Sequence, residues 1–250
     1  MIPSSSVPAS VILAIETATT CGSLALVAED RCLGEYSLNS SATHSRSLLS
    51  GVHWLLSQCQ IGWQQIGAIA VGLGPGSFTG LRIALSTAKG LCMASDKPLI
   101  GVPTLTGLAS QFPYYSLPIC PVIDARKKEI YTALYRCNRQ GVPEQTTKAM
   151  VIAPERLQEY ITTPTLLVGD GLPLYGTMLK ELLGDSALLA PPEVCFARGA
   201  AIGSAAWHLF RKSSFLDPAT AVPLYVRSSD AELQFGEKKG AKRDKTENTA

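Results

Sequence analysis

Three observations predict an α/β protein of two lobes, the first built on a mixed five-stranded sheet. Hydrophobic periodicity orders residues 11–109 as β-β-β-α-β-α-β-α, and the pattern partly repeats beyond residue 117. The chain is also long and apolar enough to fill two compact cores, at 250 residues and 46% hydrophobic. Three strands joined by short turns form an antiparallel meander, and two βα crossovers then add parallel strands with helices on the faces.

The strands open with Val11–Glu16 (VILAIE), Gly22–Ala28 (GSLALVA) and Leu33–Asn39, runs rich in β-branched and aliphatic residues bounded by polar turns. A helix follows Ser45, with Leu48, Leu49, Val52, Leu55, Leu56 and Cys59 on one stripe. Ile66–Val71 is a strand leading into the loop GLGPGS, where Ser77 or Thr79 offers a capping hydroxyl to a helix from about Thr79 to Met93. That helix is apolar nearly all round, which predicts burial nearly all round. Gly80, Ala84 and Ala88 recur every fourth residue and form a shallow strip fitted to a second helix, expected to come from another chain. Leu99–Val102 is a strand, and Pro103-Thr104 opens a short helix through Ala109.

Gln111–Leu117 marks the lobe boundary, dividing the chain into 1–110, a smaller lobe 111–227 and a polar tail 228–250 expected to be disordered. The second lobe reads as strand Ile119–Asp124, a charged turn, strand Ile130–Cys137, strand Ala149–Ile152, a short helix Pro154–Tyr160, strand Leu166–Val168, helix Leu172–Leu183, helix Ala197–Arg211 and an extended Ala221–Arg227.

Charged residues are 17% of the chain, which leaves an apolar surface suited to a partner. The net charge is +2, and Glu237–Ala250 alone accounts for it with five basic residues against three acids. A neutral body is poorly equipped to grip tRNA or DNA by itself. Seven scattered cysteines with no CxxC pair fit a reducing compartment without disulfides or zinc. No secretory leader or membrane span is read, so the expected location is cytoplasmic.

Four motifs bear residues suited to chemistry. Glu16-Thr17 and the residues after it end the first strand, where an acid and hydroxyls can orient hydrated magnesium and hold phosphates. A lone acid among threonines is weak, and a solvated polar turn is favoured. The glycine loop has no Walker lysine, since Leu81 and Arg82 follow Gly80. A close-packing turn explains its glycines better than a phosphate cradle. Gly169-Asp170-Gly171 joins a strand to a helix, and a nucleotide turn and a plain turn both remain open there. The three histidines, His44, His53 and His208, make no HxxxH or HExxH pair, so no metal set is read, and no nucleophile stands in a GxSxG elbow.

The runs VILAIETATTCGSLAL, HSRSLL from His44, GLGPGSFTGLRIALSTAKGL, PLIGVPTL, IDARKKEIYTALY and PLYVR resemble the bacterial TsaB (YeaZ) family over about Val11–Arg227. The resemblance implies an actin-like, Hsp70-like two-lobed fold. It implies work in making N6-threonylcarbamoyladenosine, beside the anticodon of tRNAs that read codons starting with A. In that family TsaD, a relative with metal-binding histidines, transfers the threonylcarbamoyl group, while TsaB pairs with it through helices and the ATPase TsaE joins them. The role implied here is a non-catalytic partner that reaches tRNA only through the complex and forms a homodimer when alone.

Carried onto this chain, the implied interface is His44, Leu48, Leu49, Val52, Gly80, Ala84 and Ala88, with about 800 Å² buried a side. On that expectation Ala84→Arg or Ala88→Arg abolishes pairing and leaves the lobe folded. Glu16, Thr17, Gly169 and Gly171 are the nucleotide-turn candidates. No cofactor is expected to stay bound to the chain alone, with ATP or ADP held at the interface of the complex. The alternatives are an ATP-dependent small-molecule kinase and a peptidase of the same superfamily.

Overall fold

The computed structural model describes residues 10–39 and 48–226. The first sheet has the order β3-β2-β1-β4-β5, formed by β1 (Val11–Glu16), β2 (Cys21–Val27), β3 (Cys32–Asn39), β4 (Ile66–Gly72) and β5 (Leu99–Val102). β1 pairs antiparallel with β2 and parallel with β4. β2 pairs antiparallel with β3, and β4 pairs parallel with β5. This is the mixed sheet of an actin-like lobe, as expected.

β1 is buried at all six positions because both faces of the sheet are covered. Val11, Leu13 and Ile15 point to one side, with Leu24, Leu26, Ile69 and Val71, under helices α1 (Leu48–Cys59) and α2 (Phe78–Ser95). Ile12 and Ala14 point to the other, with Ala25, Ala68 and Ala70. This alternation is what a period of two imposes on a central strand.

The second sheet runs β10-β7-β6-β11-β12, with β8 paired to β6 and β9. Its strands are β6 (Ile119–Asp124), β7 (Ile130–Thr132), β8 (Tyr135–Cys137), β9 (Pro143–Gln145), β10 (Met150–Ile152), β11 (Thr165–Val168) and β12 (Ala187–Leu189). α3 (Thr104–Ala109) links the lobes and α4 (Leu172–Leu183) follows β11. The expected single strand 130–137 is broken in two. Leu134 accepts from Thr146 N at 2.7 Å and donates its N–H to Thr147 Oγ1 at 2.9 Å, so it has left the ladder. Residues 154–159 form a 3-10 helix.

The last helix corrects the lobe division. α5 (Gly199–Arg211), placed with the second lobe by its position in the chain, lies on the alanine face of the first sheet. Its start is tied down by Glu35, which accepts from Ala200 N at 2.9 Å and from Arg198 Nε at 2.9 Å, and by Ser23 Oγ, which accepts from Gly199 N at 2.8 Å. Further along, Trp207 Nε1 donates to Val27 O at 3.0 Å. A face of alanines leaves room for a helix to lie close. The chain then crosses back along the sheet edge, where Leu216 N donates to Leu99 O and Leu224 N to Leu73 O, both at 2.8 Å. Among the described residues no helix is long and apolar enough to cross a membrane.

A pair of substitutions tests this packing. A Cβ on Gly203 would stand 2.5 Å from Val27 Cγ2, whereas one on Gly90 meets nothing within 4 Å. Gly90→Ala is expected to stabilise by about 1 kcal/mol through helix propensity. Gly203→Ala is expected to lower stability by about 1–3 kcal/mol through overpacking. Urea denaturation of both variants reads the opposite signs.

Candidate functional site

The glycine loop between β4 and α2 closes over the turn between β1 and β2, and this junction holds most of the polar groups buried in the first lobe. Ser77 caps α2 by accepting from Gly80 N at 3.3 Å, and its own N–H donates to Ala18 O at 2.6 Å. Thr17 Oγ1 donates to Gly80 O at 2.8 Å. Side chains at Gly76 and Gly80 would collide with the Ala18 and Thr17 carbonyls. The loop is therefore a close-packing turn, and what it packs against is the chain's own β1–β2 turn.

Glu16 sits at the centre of this junction and is fully buried. Its Oε1 accepts from Ala18 N at 2.6 Å and its Oε2 from Thr104 Oγ1 at 3.0 Å. Thr104 Oγ1 also accepts from Gly74 N at 3.2 Å, so one carboxyl joins β1, the glycine loop and the start of α3. Burial pushes the Glu16 carboxyl up to about 7, and the nearby Asp170 adds to the rise, while the Ala18 and Thr104 hydrogen bonds pull it back. Both carboxylate oxygens and the Thr17 hydroxyl are committed to internal bonds. That bonding corrects the reading of a solvated carboxylate.

Gly169 and Gly171 lie in the corresponding turn of the second lobe. Gly169, at φ +137°, is pressed against Val122 O, and Gly171 N donates to that same carbonyl at 3.0 Å. Between them Asp170 is held up to about 6, chiefly by burial, and accepts from Asp124 N at 3.4 Å. Asp124 is tied to Arg126, by its backbone N–H at 2.9 Å and its guanidinium at 3.1 Å. Thr104, which completes the first turn, carries no sequence signal beyond its place after Pro103.

The expected helical interface needs a larger correction. Ala84 and Ala88 have no exposed surface, and Leu48 and Val52 are 5% and 2% exposed, all within the core under the first sheet. Gly80 faces Thr17. These residues cover the chain's own strands, because the helix turns its smallest side toward the bulky Ile69 and Val71. Of the expected set only Leu49 is exposed, at 60%; His44 lies outside the described residues. The outward side of α2 is instead Arg82, Ser86, Gly90, Met93 and Ala94, with Met93 78% exposed. On α1 the outward residues include Leu49, His53 and Trp54.

Residues 37–170 match the profile of the TsaD family, described as tRNA N6-adenosine threonylcarbamoyltransferase. The chain is 33% identical over 239 residues to the tRNA threonylcarbamoyladenosine biosynthesis protein TsaB of Bacillus subtilis, covering 90% of this chain and 97% of that protein. It is 29% identical over 225 residues to TsaB of Escherichia coli, covering 88% and 96%. A crystal structure of an uncharacterized Pseudomonas aeruginosa protein, described as similar to peptidase YeaZ, superposes with a TM-score of 0.75 at 27% identity, covering 87% of this chain and 100% of that one.

Two outcomes follow from this geometry. The folded state retains the Glu16 proton between about 4.5 and about 7, where the unfolded chain releases it. Stability is therefore expected to fall through that window by about 3 kcal/mol and then level off. Glu16→Gln should flatten the profile, as read by denaturation midpoints at pH 5 and pH 8. Ala84→Arg places a charge in the core and is expected to abolish cooperative thermal unfolding, not merely to uncouple a partner.

Proposed function

The chain belongs to the TsaB family of tRNA threonylcarbamoyladenosine biosynthesis proteins, and from that premise we propose that it docks on TsaD through the outward faces of α1 and α2. It works in threonylcarbamoyl transfer to N6 of the adenosine beside the anticodon, as the non-catalytic partner of TsaD. The observation that carries the docking reading is the solvent-facing side of the two helices. Leu49, Trp54, Phe78 and Met93 are all exposed there, beside a helix surface at Gly90 with open space above it. Large apolar side chains exposed on two helices that cover the same side of the first sheet, in a protein low in charge, fit an interface with another polypeptide.

Glu16 and Thr17 hold the loop that carries α2, and Gly169 and Gly171 hold the start of α4, so all four stabilise the scaffold. A nucleotide, where one is used, then belongs to the assembled complex and its interface. TsaE joins that assembly, tRNA is met through it, and in the absence of TsaD the same face pairs two copies of the chain. The reading places the protein in the cytoplasm. Kinase and peptidase readings are not favoured, because the acid a kinase would need is buried and bonded on both oxygens.

Met93→Arg and Leu49→Arg test this directly. Both positions are exposed, so melting temperatures should stay close to the wild type. Co-purification with TsaD should be lost, and with it the restoration of threonylcarbamoyladenosine in cells depleted of the native chain, read by mass spectrometry of digested tRNA. Folded variants that keep both properties would remove the interface from this face.

A further inference from the structure

At the start of α2 an arginine stands over an aromatic ring. The Arg82 guanidinium carbon lies 3.8 Å from the centroid of the Phe78 ring, one helical turn earlier. Phe78 in turn packs against Tyr225, with ring centroids 5.5 Å apart. Tyr225 belongs to the returning C-terminal segment, fixed by Leu224 N donating to Leu73 O. Arg82, Phe78 and Tyr225 are all exposed, and among the described residues no acidic side chain forms an ion pair with Arg82.

Stacking on a ring occupies one face of a guanidinium and leaves its N–H edge pointing outward. That planar fork matches a carboxylate with two parallel hydrogen bonds. We infer that Arg82, held by Phe78 and Tyr225, receives an aspartate or glutamate carboxylate from the polypeptide that docks on α2. The inference rests on the reading above that this face is the interface with TsaD. Three features favour a protein carboxylate over a nucleic-acid phosphate. The platform continues along the same helix face into Ser86, Gly90 and the exposed Met93, so the cation stands at the rim of an apolar surface. Arg82 is the cation on the outward side of α2, and the helix carries no acid along its length to neutralise it, so the complementary group is acidic. The body of the chain is neutral outside its tail, whereas a phosphate-gripping surface spreads several cations over one face.

The test measures the affinity of the purified full-length chain for TsaD by titration calorimetry over a series of salt concentrations. The variants are Arg82→Gln, Arg82→Lys, Arg82→Glu and Phe78→Leu. Arg82→Gln is expected to weaken binding by about 30-fold or more and to flatten its salt dependence. Arg82→Lys should recover only part of the loss, since a point charge cannot reproduce the fork. Phe78→Leu should give a smaller loss with the salt dependence kept. Arg82→Glu should be rescued by reversing a single acidic residue of TsaD to arginine, an effect that general damage to the fold would not produce.

Wild-type affinity and salt dependence in Arg82→Gln would overturn the inference while leaving the docking reading intact. Unchanged TsaD affinity with weakened tRNA binding by the complex would assign Arg82 to phosphate and overturn it as well. A wild-type chain that does not bind TsaD at all would overturn the docking reading, and this inference with it.

Discussion

The first lobe is organised around a carboxyl group that water does not reach. Glu16 closes hydrogen bonds to its own turn and to Thr104, and Thr104 passes the connection to Gly74. Strand β1, the glycine loop and the entry to α3 are thereby fixed to one another. Because α2 begins where the loop ends, with Thr17 bonded to Gly80 and Ser77 to Ala18, the start of the helix is tied to the β1–β2 turn. Burying an ionisable group is costly unless its hydrogen bonds are satisfied. The raised carboxyl is the remaining cost, and it is carried by a junction whose rigidity sets the outward face of α2.

This arrangement turns a motif of phosphate-loop appearance into a packing device. A phosphate cradle must leave backbone N–H groups and hydroxyls free to face the ligand. Here Ala18 N, Ser77 N, Gly80 N and the Thr17 hydroxyl all bond within the chain. The glycines are small because two loops touch, Gly76 against the Ala18 carbonyl and Gly80 against that of Thr17. The sheet and the turn together present a helix.

Much of the architecture was legible because strands with two covered faces are continuous apolar runs, as in VILAIE and IAV, and because Ser77 and Pro103 announce helix starts. The orientation of α2 is harder to read from sequence, since it carries two small-residue series, Gly80-Ala84-Ala88 and Ser86-Gly90-Ala94, on different sides of the helix. A signal did exist. Arg82 continues the second series toward the N-terminus, and a charge on a stripe marks the solvent side. The return of α5 was harder, because nothing local in GAAIGSAAWHLFR says which sheet its small residues fit. Only the tertiary partners decide it, Ala14, Ala25, Ala68 and Ala70 being as small as the helix itself. The contact between Thr104 and Glu16 spans 88 residues and leaves no pattern in the sequence.

In the proposed complex TsaD sits on the solvent-facing side of α2. Hydroxyl-radical footprinting of the chain with and without TsaD reads this side chain by side chain, since methionine sulfur oxidises readily when exposed. Met93 is the exposed methionine on that face, and Met150 and Met178 in the second lobe serve as internal references. Strong protection of Met93 by TsaD, with Met150 and Met178 oxidised as before, is the expected result. Equal oxidation of Met93 in the free chain and in a verified complex would contradict the account.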